Sequence, residues 1–437
     1  MFENIGETIA AMVSIPTVSG SGNEDMYHMA EYRGYLKKRF DSLFSQVEIH
    51  PIGEALLCHL RGKEDNGELP VLFTGHMDVV PVDVTGWSHG PFSGKIEGNR
   101  VWGRGSQDMK GPHCAFLSAI DELLKNGWRP TRDIWIYMSC DEEIGGETTE
   151  SAARFLKESG VRFETVFDEG GTICENFMGL VDGKAAMIGI SEKGSLCYQI
   201  KARGKGGHAA NPPKDSAIVR LARFIVDVED GGYFRKELSE GNRTMLKAMS
   251  RYAEGDRRKE LREAAEDTGN YKKVRKICQD AESMLGATVA FTIISGGTAF
   301  NIMPKEAVLT VNVRVTAIEG MEAVTKILNR CAQKYDLECT LESGEDAARE
   351  ESVEGPGYKM CLKCIEEVYP GLPIIPFVLG GGTDSKHFLS ITNEVIRFSP
   401  LYAEPEQGRG VHGDDESVFI DAVKNAAECY YKLLQMI

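Results

Sequence analysis

No apolar run in this sequence approaches the roughly 20 residues that a membrane-spanning helix needs, which argues against a helical membrane protein. Basic residues are outnumbered: 50 Lys and Arg stand against 66 Asp and Glu, for a net charge of −16. That balance argues against non-specific binding to nucleic acid or to an anionic membrane. The opening stretch, MFENIGETIAAMVSIPTVSG, lacks a basic n-region and carries Glu3 and Glu7. It reads as an ordinary helix rather than a signal peptide. There is no GxxxxGK[ST] phosphate loop and no GxSxG elbow before a helix. Internal repeats and low-complexity segments are also absent. Residues 408–413 fit GxGxxG, but polar residues 403–407 precede them and one helix ends the chain, so a dinucleotide fold is set aside.

What is present is a long, ordinary globular composition. The 437 residues favour two or three domains, and 42% apolar content is enough to fill a core. The 11 cysteines are scattered and odd in number, as in a reduced, cytoplasmic protein. A single CxxC, Cys361 to Cys364, reads as two thiols on adjacent turns of a helix.

Periodicity organises the chain. Residues 24–43 space Met26, Met29, Ala30, Leu36, Phe40 and Leu43 like one helix face. Strand-like runs follow at 55–60, 71–74, 134–139 and 165–167, separated by helical patterns at 112–125 and 149–159. Strands alternating with helices predict an α/β domain with a largely parallel sheet, whose sites form at the carboxyl ends of strands. Residues 192–347 change character. A strand at 195–203, a helix at 215–228, strands at 287–295 and 306–316, a helix at 320–335 and a strand at 338–343 predict a ferredoxin-like α+β unit. A charged stretch near 232–285 interrupts it and reads as a helical, solvated insertion. The α/β pattern then resumes, with strands at 374–379 and 395–398 and a final helix over 415–435. The expected division is a discontinuous domain of 1–191 and 348–437 with 192–347 inserted.

Five short segments gather metal-ligand residue types at the ends of these elements. The first is Thr74-Gly75-His76-Met77-Asp78, where His76 and Asp78 point the same way on an extended backbone. The second, Gly103 to Gly111, brings Asp108 to a glycine-rich turn before a helix, the plain alternative being a surface loop with an N-cap Asp. The third, Ser139 to Gly146, places Asp141, Glu142 and Glu143 after a buried strand. Acids crowded there repel one another, and a cation resolves the conflict. The fourth holds Asp168 and Glu169, and the fifth holds His412, Asp414, Asp415 and Glu416. Nitrogen and oxygen donors of this kind suit Zn²⁺, with Co²⁺ or Mn²⁺ possible.

The motifs GHMDVVPV, GRGSQDMKG and DEEIGG, in this order, resemble the co-catalytic dizinc peptidase and deacylase family. That family includes aminoacylase, acetylornithine deacetylase, succinyl-diaminopimelate desuccinylase and glutamate carboxypeptidase, and the pattern is nearest its carboxypeptidase S-like branch. The resemblance covers essentially the whole chain. It implies a zinc-peptidase catalytic domain with an inserted lid and dimerisation domain, and two zinc ions per subunit. His76, Asp108 and Glu169 are implied to bind one zinc. Asp108, Glu143 and His412 are implied to bind the other, with Asp108 bridging and Asp78 orienting His76. Relatives carry Asp or Glu at the fourth position, so Asp168 competes with Glu169 there. Glu142 is implied as general base and acid, and the Asp108–Met109 peptide as cis. In the inserted domain, His208 is implied to stabilise the oxyanion across a homodimer, and Arg314 to grip a substrate carboxylate. Asn301, Gly382 and Thr383 are weaker substrate contacts. The implied reaction is hydrolysis of an amide bond in a small peptide or N-acyl amino acid with a free carboxylate. The alternative is a non-catalytic metal-binding or dimerisation relative, which characteristically lacks the base or a ligand.

Overall fold

The computed structural model describes residues 2–20, 23–63, 67–269, 271–278, 281–404 and 410–437. Gly408 and Arg409 of the glycine-rich run, and Asn270, Gln279 and Asp280 of the charged stretch, lie outside the described residues. The chain is α/β and divides into two compact units. The first comprises Met1–Ile190, Glu351–Phe377 and Thr383–Ile437; the second comprises Ser191–Glu350 and Val378–Gly382.

A mixed sheet forms the centre of the first unit. Among the described residues its strand order is Glu48–Ile52, Ala55–Leu60, Ile134–Ser139, Val71–His76, Phe163–Asp168, Thr392–Arg397, Lys184–Glu192 and Ile374–Leu379. The four strands from Ile134–Ser139 to Thr392–Arg397 run parallel. Antiparallel pairings flank them. Strands Ala55–Leu60, Val71–His76 and Ile134–Ser139 are buried at every position. That is why they read as continuous apolar runs: helices cover both faces. Alternate side chains enter different cores. Val71 and Phe73 join Ile134, Phe116 and Val423 on one side, while Leu72 joins Trp135, Tyr137 and Leu156 on the other. Phe73 stacks on Phe116 and Phe167 with centroids 4.7 and 4.9 Å away. The helix Lys110–Lys125 packs against Ile420–Leu434. Cys361 and Cys364 are buried on one helix, Pro356–Val368, and all eleven cysteines are free thiols.

Two expected helices are shorter than their periodicity suggests. The pattern at 24–43 forms Asn23–Arg39 and then, after a non-helical Phe40, the short turn Asp41–Phe44. Met26 is 57% exposed and Ala30 is exposed, whereas Tyr32 is fully buried and takes their place on the packed face. The final helix begins at Ile420, not at 415. Residues Ser417–Phe419 instead pair as a strand with Arg100–Trp102. The turn before them needs a left-handed Asp415 (φ 59), which a helix cannot include.

The second unit contains a four-stranded antiparallel sheet, ordered Thr288–Gly296, Glu306–Val315, Gly194–Arg203, Glu338–Glu345. Leu196, Tyr198 and Ile200 alternate inward with Leu309, Val311 and Val313. They pack with Leu221, Phe224, Val324 and Leu328 from helices Ala217–Asp230 and Met321–Lys334. Arg314 lies on the opposite, half-buried face with Asn312 and Thr310. The charged stretch forms helices Glu240–Tyr252, Gly255–Ala265, Lys272–Ile277 and Ala281–Met284. It is not merely solvated: Met245, Leu246, Met249, Leu261, Val274 and Met284 are buried.

Candidate metal centre

Three adjacent parallel strands deliver the site from one edge of the sheet. His76 closes Val71–His76 and stands opposite Ser139 in register. Glu142 and Glu143 follow Ser139 on the turn Glu142–Ile144. Asp168 closes Phe163–Asp168, and Glu169 comes next. Asp108 arrives from the turn before helix Lys110–Lys125, through a cis Asp108–Met109 peptide. That turn is tight: a Cβ on Gly111 would fall 2.2 Å from the Ser106 carbonyl oxygen, so only glycine fits. His412 arrives from the loop before Ser417–Phe419, with φ 60.

The five expected ligands converge around Asp108. One Asp108 oxygen lies 3.0 Å from His76 Nε2, and the other lies 3.2 Å from His412 Nε2. His76 Nε2 is also 3.2 Å from Glu169 Oε1, and His412 Nε2 is 3.2 Å from Glu143 Oε1. Two donor clusters therefore share one carboxylate. Asp78 is fully buried, and its carboxylate accepts the backbone N–H groups of Glu142 (3.3 Å) and Glu143 (3.2 Å). His76 Nδ1 meets the Asp78 carbonyl at 2.9 Å and its carboxylate at 3.5 Å. This fixes the imidazole with Nε2 toward the centre. Glu142 stands beside His76 and Glu169, with donor atoms of all three within 4.8 Å of one another.

Of the two acids at the end of Phe163–Asp168, Glu169 faces His76. Asp168 turns away: its oxygens accept the N–H groups of Glu169 (2.9 Å) and Ser385 (2.8 Å). Thr383 is buried, and its hydroxyl lies 2.7 Å from that of Ser385. His208, Asn301, Arg314 and Gly382 belong to the second unit. There His208 pairs with Ile302, and the Ala209 N–H donates to the Asn301 carbonyl at 3.0 Å.

Three further charged residues lie near the centre. Asp384 is buried and accepts the Thr149 hydroxyl at 2.8 Å. Arg104 and Glu416 form a buried ion pair at 2.7 Å. The only sequence signal for that pair is an opposite charge on each of two ligand-bearing segments.

With protein groups alone the electrostatics are unbalanced. Burial pushes Glu142 up to about 10, helped by the neighbouring Glu169, Asp384 and Glu143 carboxylates and opposed by His76. Burial, with Asp108 and Asp168, pushes Glu169 up to about 8. Burial beside Asp168 likewise lifts Asp384 to about 7. Burial alone would lower His76, but the Glu169, Asp108 and Asp78 carboxylates raise it well above its ordinary value. Hydrogen bonds to Asp108 and Glu143 raise His412 to about 10.

A divalent cation fits this donor set. Ligand atoms about 2.0–2.2 Å from one ion lie roughly 3.3–3.6 Å from one another in tetrahedral geometry. The imidazole–carboxylate separations of 3.0 to 3.2 Å come within a few tenths of an ångström of that spacing at both clusters. His76, Asp108 and Glu169 would hold one ion; Asp108, Glu143 and His412 would hold the other.

A pH dependence follows. Glu142, Glu169, Asp384, His76 and His412 bind protons more tightly folded than unfolded. The stability they contribute is complete below their unfolded values, 4.5 for Glu, 3.8 for Asp and 6.5 for His. It is lost as pH rises through the folded values, about 7 for Asp384, about 8 for Glu169 and about 10 for Glu142 and His412. The Tm of chelator-stripped protein should therefore fall between pH 6.5 and about 8, and saturating Zn²⁺ should abolish the fall. Calorimetry across that interval checks this; a rising Tm in the stripped protein contradicts it.

Comparison with known proteins agrees with this architecture. The sequence pattern of peptidase family M20/M25/M40 matches residues 72–436. Over 435 residues the chain is 27% identical to the N-fatty-acyl-amino acid synthase/hydrolase PM20D1 of Xenopus tropicalis, covering 98% of this chain and 85% of that protein. It is 27% identical over 441 residues to the probable carboxypeptidase S-like 2 of Dictyostelium discoideum, covering 99% and 84% of the two chains. The solved structure of the M20 family metallo-carboxypeptidase Sso-CP2 from Sulfolobus solfataricus superposes with a TM-score of 0.77 at 22% identity, covering 100% of this chain and 99% of that one. The chain belongs to peptidase family M20/M25/M40 and is a metal-dependent hydrolase of C–N amide bonds.

Proposed function

We propose that the chain uses two zinc ions to hydrolyse the amide bond of a small peptide or N-acyl amino acid that carries a free carboxylate. The observation that supports this most strongly is Asp108, whose two oxygens face His76 and His412 separately. The names of the relatives, a carboxypeptidase S-like protein and an N-fatty-acyl-amino acid synthase/hydrolase, support both substrate classes. Divalent cations held at such a centre polarise a carbonyl oxygen and lower the pKa of water toward neutrality. Glu142 takes the proton from the attacking water and passes it to the leaving amine. Burial beside Glu169, Asp384 and Glu143 raises the proton affinity of Glu142 in the metal-free protein. The two cations would lower it again toward the range in which a carboxylate accepts and returns a proton. Asp78 holds His76 and, through backbone N–H groups, the turn carrying Glu142 and Glu143.

Arg314, Asn301, His208 and Gly382 of the second unit and Thr383 of the first supply substrate recognition in this reading. Arg314 grips the free carboxylate with a planar, bidentate fork, and Asn301, Gly382 and Thr383 line the substrate. His208 offsets charge on the oxyanion of a neighbouring subunit. The exposed edge strand Thr288–Gly296, with Ile293 63% and Ile294 59% exposed, supports a homodimer through this unit. Free thiols throughout support a reducing, cytoplasmic setting.

Glu142→Gln should bind zinc normally and lose about 10²–10⁴-fold in kcat. His208→Ala should be impaired separately, and mixing the two variants should restore activity in mixed dimers. Turnover at the wild-type rate in Glu142→Gln contradicts the base, and no recovery in demonstrated mixed dimers contradicts the action of His208 across subunits.

Converting the substrate carboxylate to a carboxamide should lower wild-type kcat/KM by roughly 10–150-fold, the equivalent of about 1.5–3 kcal/mol for a charged hydrogen bond. Arg314→Met should lose that discrimination. A variant that still prefers the free acid by the wild-type factor removes Arg314 from the assignment.

A further inference from the structure

The ligands of the two donor clusters are anchored unequally. His76 and Glu169 lie at or just beyond the ends of strands in the parallel centre of the sheet. Glu143 sits on a turn whose N–H is held by Asp78. His412 lies in a loop and not at a strand end, its side chain 52% exposed, in a left-handed backbone conformation. Asp108 likewise sits on a turn, not in the sheet.

One buried ion pair joins these two loops. Glu416 is fully buried, and Arg104 is 3% exposed. The Glu416 carboxylate accepts Arg104 Nη1 at 2.7 Å and the backbone N–H groups of Gly105 at 2.9 Å, Gln107 at 2.7 Å and Asp108 at 3.2 Å. Arg104 Nη2 donates to the carbonyl of Gly413, the residue after His412, at 3.0 Å. The Gly103 N–H donates to the Glu416 carbonyl at 2.8 Å. A buried ion pair is weak grounds for stability, because desolvating both charges offsets their attraction. Its geometry here is better explained by position: it ties the backbone of Asp108 to the loop of His412 across some 300 residues of sequence.

We infer that Arg104 and Glu416 are positioning residues that set the spacing of Asp108 and His412, and so govern affinity at the Asp108–Glu143–His412 cluster more than at the His76–Asp108–Glu169 cluster. This rests on the two-metal reading above. The cluster built on His76 and Glu169 keeps two strand-anchored ligands when the clamp is lost. The other cluster loses the one side chain that holds the Asp108 N–H and, through Arg104, the Gly413 carbonyl; the Gln107 Nε2 bond to the Ser417 carbonyl (2.8 Å) and the pairing of Ser417–Phe419 with Arg100–Trp102 remain. Converting Glu416 to Gln replaces one acceptor oxygen with an N–H₂ donor facing Arg104 or a backbone N–H, which breaks the clamp at nearly constant volume.

The test is calorimetric titration of Zn²⁺ into chelator-stripped, full-length wild type, Glu416→Gln and Arg104→Lys. Arg104→Lys keeps the charge but cannot reach Glu416 and Gly413 together, so it decides the matter if Glu416→Gln does not fold. Wild type should bind two ions. The variants should bind the first within a few-fold of wild type and the second about 10–100-fold more weakly, as loss of a partner behind a ligand does elsewhere. Amide hydrogen exchange of the stripped Glu416→Gln variant should accelerate at Gly105, Gln107 and Asp108 while the sheet stays protected. Two ions bound with wild-type constants in the folded variants, or both constants falling equally, overturns the inference alone. A wild-type chain that binds a single ion overturns the two-metal reading and the inference with it.

Discussion

The structure turns on one shared carboxylate. Asp108 lies between two imidazoles that come from opposite ends of the chain, and each takes a different oxygen. Around it stand Glu142, Glu143 and Glu169, with Asp78, Asp168 and Asp384 just behind. So many buried acids cannot all remain ionised beside two histidines. The folded protein must carry protons it would otherwise shed, or hold cations. Family membership and donor spacing both favour cations. Cations at the centre would also lower the proton affinity that burial and neighbouring carboxylates give Glu142 in the metal-free protein.

The sheet makes that convergence affordable in topology. Parallel strands bring their carboxyl ends to one edge, so His76, the Glu142–Glu143 turn and Glu169 meet without long excursions. The strands themselves are buried throughout, mostly apolar, and packed on both faces. The polar load begins where the hydrogen-bonded ladder ends. Loops then add Asp108 and His412, and the restraint on those loops comes from side chains, not from the sheet.

Much of this was legible from residue order. Strand runs with Gly, His, Asp or Glu at their ends mark the sheet and the edge at which His76, Glu143 and Glu169 gather. Pattern alone could not separate Asp168 from Glu169, because both are acids at one strand end. The distinction comes from Ser385, whose N–H occupies Asp168. The stripe over 415–435 hides the start of its helix because Ser417–Phe419 pair with a strand some 300 residues away. The pairing of Arg104 with Glu416 was hidden for the same reason: the two segments that carry them meet only in the fold. Met26 shows the converse error, an apolar residue at the right spacing that nothing covers.

The most direct measurement is anomalous X-ray scattering at the zinc edge from crystals of the zinc-loaded protein. The account predicts two peaks, each about 2.0–2.2 Å from its nitrogen and oxygen donors, with one Asp108 oxygen on each. A single peak, or two peaks that do not share Asp108, would contradict it.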